Sequence, residues 1–164
     1  MGIAAADNID LADRLAGEFE HLYTQALLPS GDHAIRFSGV TAQQRQFILE
    51  VPSSYFEPEQ RREFCLWLCR KEALTAYAYC EPRIFSKDDR LGTKGVLDIV
   101  SVSKRKDVCR FVAIGPINVI EPEPSKIAPW RDLLNNSERI ETELQIVYHN
   151  LWEKIRPKVL WRQR

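Results

Sequence analysis

Seven glycines are scattered through 164 residues and never cluster, so no glycine-rich phosphate loop exists here, nor the nucleotide chemistry that needs one. Histidine occurs only at His21, His33 and His149. Of the four cysteines, Cys65 and Cys69 are four apart and share one face of a helix, but the two further ligands a metal would need, from Cys80, Cys109 or the histidines, lack the short paired spacing of a structural zinc site. All four cysteines stand in apolar runs, where a free thiol behaves as a small buried hydrophobe. No metal and no cofactor is expected. No apolar run approaches the roughly 20 residues that cross a bilayer. Met1 to Asp7 lacks the basic region and apolar core of a secretory signal. A cytoplasmic chain with reduced thiols and no membrane contact is the expectation.

An excess of charge is also lacking, since 23 basic residues balance 23 acidic ones. The distribution is nevertheless uneven. Residues 1–60 hold three basic and nine acidic side chains, a net of −6. Residues 61–110 carry a net of +5, and residues 111–164 a net of +1. Such asymmetry either steers a charged partner to one face or places acidic and basic elements side by side in the fold.

Three runs in the middle of the chain read as β-strands. They are Leu74 to Cys80, Val96 to Val102 and Val108 to Ile114, all rich in β-branched and aromatic residues. Short polar connections predict that they pair as sequential antiparallel neighbours, with strands over 74–82, 95–103 and 107–114. Upstream, Asp7 or Asn8 caps a helix reaching about Leu28, with the stripe Leu11, Leu15, Phe19, Leu22 and Ala26. Ile35 to Ser38 and Phe47 to Val51 are two further strands. Pro58 opens a helix over about 58–72, whose later half, Phe64 to Cys69, is apolar on all sides and therefore central. Residues 115–130 are interrupted by Gly115, Pro116, Pro122, Pro124 and Pro129, and connect to a last helix over 136–156. Within that connection, Ile117 to Ile120 reads as a short edge strand or an extended arm and Glu121 to Pro124 as an extended, exposed stretch. The stripe of the last helix is Ile140, Leu144, Val147, Leu151 and Ile155, and Pro157 stops it. The order α-β-β-α-β-β-β-α predicts one α+β domain over 1–164. It has an antiparallel sheet of about four to six strands with helices packed on it, and flexible residues 1–7.

Several patterns invite catalytic readings. Ser101-Val102-Ser103-Lys104 matches the S-x-x-K string of serine acyl enzymes, but it runs off a strand into a turn rather than opening a helix. Chance in a hairpin is the better account. A Cys80–His149 pair could make a nucleophile and base, yet nothing places them together. Glu81, Asp88, Asp89 and Asp98 could bind a divalent cation, but basic neighbours compete for the loop acids. Asp98, an acid inside an apolar strand, is expected to face water, to pair with Arg83 or Arg110, or to serve a site. Asn135-Asn136-Ser137 fits a glycosylation acceptor, which is idle in a cytoplasmic chain. No catalytic residue is assigned.

Two constellations remain as binding candidates. One is basic: Lys87, Arg90 and Lys94, and then Lys104, Arg105 and Lys106, on the two connections flanking the strand over 96–102. Phosphate contact needs such cations, although base stacking also wants exposed aromatics nearby. The other is the tail from Trp152 to Arg164, with Trp161, Arg162 and Arg164 beyond Pro157. Tryptophan and arginine are the residues most often found at binding hot spots. The tail either docks on its own domain or is offered to a partner, and Trp130 in the proline-rich connection raises the same alternative.

The element order is similar to that of small α+β chaperones and adaptors such as type III secretion chaperones, a resemblance of order that rests on no shared motif. The compact size and scattered charge also resemble accessory proteins of phages and other mobile elements, some of which inhibit host defence machinery. The expectation is a non-catalytic protein that binds another protein, as an adaptor or inhibitor. A nucleic-acid-binding accessory factor is the first alternative and a small enzyme with a dispersed site the second. The oligomeric state is open, a homodimer included.

Overall fold

In the computed structural model, which describes residues 9–52, 57–88, 92–117 and 142–164, the chain forms one antiparallel six-stranded sheet with helices on both faces. The elements are α1 (Leu11–Leu22), β1 (Arg36–Thr41), β2 (Arg45–Glu50), α2 (Pro58–Lys71), β3 (Leu74–Asp88), β4 (Gly92–Ser103), β5 (Asp107–Ile114), α3 (Thr142–Ile155) and β6 (Leu160–Gln163). Their order across the sheet is β5-β4-β3-β1-β2-β6. The expected hairpins are present, with Tyr79 opposite Val100 and Val100 opposite Cys109. The predicted α+β order holds, and β6 is added to it. Residues 1–7, Arg90, residues 118–120 of the expected edge strand, Glu121 to Pro124, Trp130, Asn135 to Ser137 and the expected start of the last helix lie outside the described residues.

The sheet's two faces differ in side-chain size. On β3, Tyr77 and Tyr79 point to one side while Ala76, Ala78 and Cys80 point to the other, as the two-residue period of a strand requires. The small side chains let α1 lie close, with Leu15, Phe19 and Tyr23 packed over Leu97 and Ile99. The aromatic face carries Phe37, Phe47, Tyr77 and Tyr79 beneath α2 and α3. Phe37 stacks on Tyr77 at 5.6 Å. α2 is buried nearly all round because α3 flanks it. Tyr148 lies 5.7 Å from Phe64 and 6.4 Å from Trp67, and its hydroxyl donates to Glu63 at 2.8 Å. Gly39 of β1 is required on this face, since a Cβ there would stand 2.6 Å from Leu74 and 2.8 Å from Phe47.

Four expectations are corrected. α1 is capped by Asp10, whose carboxylate accepts from the Ala12 amide at 2.8 Å, rather than by Asp7 or Asn8. The helix then widens into a π-type turn over Tyr23–Leu27, closed by Leu28 N–H to Tyr23 C=O at 2.8 Å. The extra residue in that turn rotates the stripe, so Tyr23 is buried and Ala26 is exposed. β3 runs through Ser86 and Lys87, where a polar loop is expected. Pro82 is tolerated there because β1 ends at its Arg36–Cys80 pair, so that among the described residues β3 has no second strand neighbour at Pro82. α3 buries Tyr148 and Trp152, while Val147 of the expected stripe is 52% exposed.

Two predictions follow from this packing. Phe64→Ala should cost about 3–5 kcal/mol in a denaturant titration, the range for a fully buried aromatic. Asp32 holds Arg36 through a hydrogen-bonded ion pair at 2.7 Å and accepts from the Ala34 amide, and both hold its pKa below the ordinary carboxylate value. Its contribution to stability is therefore present above the unfolded-state carboxylate pKa and is lost as pH falls through the lowered one. Acid unfolding of Asp32→Asn should lack that component of the pH dependence.

Candidate protein-binding groove at the sheet edge

The tail closes one edge of the sheet. β6 pairs antiparallel with β2, setting Trp161 opposite Phe47 and Arg162 opposite Gln46. Arg164 extends the ladder by donating its amide to the Gln44 carbonyl at 2.8 Å. Gln44 itself holds a left-handed conformation, φ 63°, in the turn between β1 and β2. The side chains of β6 alternate between the faces. On the aromatic face Trp161 meets Phe47 at 4.9 Å, with the Arg45 and Arg156 guanidinium groups 4.7 and 5.0 Å from its ring centre. Phe47 in turn touches Trp152, whose indole N–H donates to Glu72 at 2.8 Å. The Trp161 indole N–H is buried without an acceptor among the described residues. A buried donor left so costs about 1–3 kcal/mol.

On the opposite face the two arginines of the tail converge on helix α1. Arg164 donates to Glu18 and, at 2.6 Å, to Gln46. Arg162 reaches Glu18 at 3.3 Å and Gln46 at 3.0 Å. The Gln46 amide donates to Glu18 at 3.1 Å and to Ser38 at 2.9 Å. One carboxylate and one carboxamide oxygen thus receive two guanidinium groups, each bond strengthened by charge. Beside this cluster α1 and strands β1 and β2 enclose a cavity of about 250 Å³. Leu15, Phe19, Leu22 and Ile48 line it with apolar side chains, and Glu18, the buried Gln46 and Arg162 line it with polar ones. Among the described residues β6 has no strand on its outer side, and Leu160 in it is 79% exposed.

The candidates from the sequence are therefore dispersed. Trp161, Arg162 and Arg164 come together at this edge, with the indole on one face and the arginines on the other. Trp152 is fully buried and holds α3 to the sheet. Lys104, Arg105 and Lys106 are exposed on the β4–β5 turn, where Lys106 pairs with Asp13 at 2.8 Å. Lys104 and Arg105 line a cavity of about 310 Å³ with Asp10 and Ser103. Lys87 is exposed at the far end of the β3–β4 hairpin, roughly 40 Å away along a twelve-residue strand. Trp130 and Arg90 are not among the described residues. Sequence reasoning missed Glu18 and Gln46, two polar residues on separate elements with no motif to join them.

The other patterns resolve locally. Ser101 is buried and donates to the Tyr77 carbonyl at 3.2 Å, whereas Lys104 is exposed in the turn. Asp98 pairs with Arg83 at 2.6 Å and faces Glu81 across the strands, which pairs with Arg61 at 3.1 Å. Burial raises the Glu81 carboxyl pKa, although Arg61 opposes the shift. Cys65, Cys69 and Cys80 are buried, which pushes their thiol pKa values up and makes them poor nucleophiles. Among the described residues no three His, Cys, Asp or Glu side chains gather as metal ligands, and no helix is long and apolar enough to cross a membrane.

Glu18→Gln should destabilise the fold by about 1 kcal/mol at low salt, because the carboxylate is partly exposed and screened. Raising salt to roughly 1 M should shrink the difference from wild type. Parallel denaturant titrations at the two salt concentrations measure it. Compared with known proteins, the chain matches no family model, no curated protein and no solved structure.

Proposed function

We propose that this chain is a protein-binding module, an adaptor or inhibitor, that holds its partner at the groove between α1 and the β2–β6 edge. The observation that carries this reading is the mainly apolar cavity of about 250 Å³, lined also by Glu18 and Arg162, beside a strand that bears an exposed leucine. Apolar anchor pockets ringed by polar groups are how protein interfaces concentrate binding energy. An unpaired strand edge offers backbone donors and acceptors to a second chain. The basic residues support nucleic-acid binding less well. Lys106 is paired, and Lys87 is roughly 40 Å from the other turn, so among the described residues the cations of the two turns are set apart.

The test is affinity capture from the native cell with three baits: wild type, Leu22→Arg on the groove wall, and the triple variant Lys104→Glu/Arg105→Glu/Lys106→Glu. A protein held by wild type and the triple variant, lost from Leu22→Arg and only mildly sensitive to salt, is the expected result. The reading fails if the bound material is nucleic acid, if its retention falls steeply with salt and if the triple variant abolishes it, since each neutralised phosphate releases counterion.

A further inference from the structure

The tail strand displays what the β2 edge recognises. It lies extended, with an aromatic side chain on one face and arginines one and three residues later on the other. Phe47, Arg45 and Arg156 receive the aromatic ring, and Glu18 with Gln46 receives the arginines. We propose that this edge is a receptor for an extended segment of another protein carrying an aromatic–Arg–X–Arg pattern, and that β6 occupies it as an intramolecular competitor. The proposal rests on the protein-binding reading above and names the class of partner.

Three features make β6 an incomplete occupant. It pairs with Arg45 to Ile48, and among the described residues Leu49 and Glu50 of the six-residue β2 have no strand neighbour on that side. The chain cannot extend the pairing, because a 3-10 turn over Arg156–Lys158, with Pro157 inside it, precedes β6. Among the described residues the buried Trp161 indole N–H has no acceptor, and a phenylalanine at that position would carry no such donor. Leu160 buries little of its side chain. A separate strand two residues longer at its start would add ladder bonds along Leu49 and Glu50. Its arginines would meet the same Glu18 and Gln46. Against it stands the proximity of β6, which acts at an effective concentration of order millimolar.

The probe is a fluorescent peptide with the sequence of residues 159–164, Val-Leu-Trp-Arg-Gln-Arg, titrated against the full chain by anisotropy. The triple variant Trp161→Ala/Arg162→Ala/Arg164→Ala should bind it at least tenfold more tightly than wild type does. Adding Glu18→Arg should remove that binding, and an acidic peptide, Val-Leu-Trp-Glu-Gln-Glu, should restore it. Equal affinity for wild type and the tail variant, or indifference to Glu18→Arg, overturns the proposal. Should the tail variant fail to fold by circular dichroism, hydrogen exchange of the wild-type chain decides. Millimolar peptide should speed exchange at residues 160–163 several-fold while β1 and β3 stay protected, and unchanged exchange refutes displacement. A concentration-dependent wild-type dimer that the peptide dissociates makes a second copy the occupant and overturns assignment to a different protein. If the peptide fails while capture of a protein still depends on Leu22, the peptide class is wrong and the protein-binding reading stands.

Discussion

The fold depends on strand β3 being buried on both faces with side chains of opposite size. Ala76, Ala78 and Cys80 bring α1 close, and Tyr77 and Tyr79 hold α2 and α3 further off. A one-residue slip in its pairing would drive the tyrosines into α1 and set alanines beneath α2. The register between β3 and its neighbours is therefore strongly specified. Gly39 enforces the same fit on β1, because Leu74 and Phe47 occupy the space that any Cβ would need. With the centre fixed this way, the sheet can end in a short and lightly held strand at its edge.

Where the chain's pattern was strong, the fold was legible. The aromatic and β-branched runs of β3, β4 and β5 announced their hairpins, and the all-round apolar run of α2 announced a helix packed on two sides. What escaped notice depends on contacts between distant residues. The π-type turn at Tyr23 is stabilised by the Tyr23 hydroxyl donating to the Ala34 carbonyl at 2.6 Å and by Arg36 over the ring, which no local propensity encodes. β6 has four residues and follows a proline, too short for a periodic signal. Ala73, with φ 48°, ends α2 in a conformation that usually calls for glycine, so that stop was also silent.

The site divides the same way. Trp161, Arg162 and Arg164 were readable as candidate anchors from residue type alone. The partners that give them meaning, Glu18 and Gln46, sit on a helix and a strand that only the folded sheet brings together. Glu18, from the acidic first sixty residues, receives Arg162 and Arg164 from the basic end of the fold. The same holds for Lys106 with Asp13 and Arg110 with Glu20, so much of the charge asymmetry along the sequence is spent inside the molecule.

The contact between Glu18 and Arg164 spans 146 residues of chain. Such a contact cannot take part in early folding, because both sheet and helix must exist before the two groups can meet. Until β6 docks, Arg45 to Ile48 of β2 lack the strand that pairs with them in the folded sheet. An open strand edge at that stage is where growing chains join one another. Arg45 puts a charge on β2 at that edge, and the same guanidinium lies over the Trp161 ring where β6 is docked.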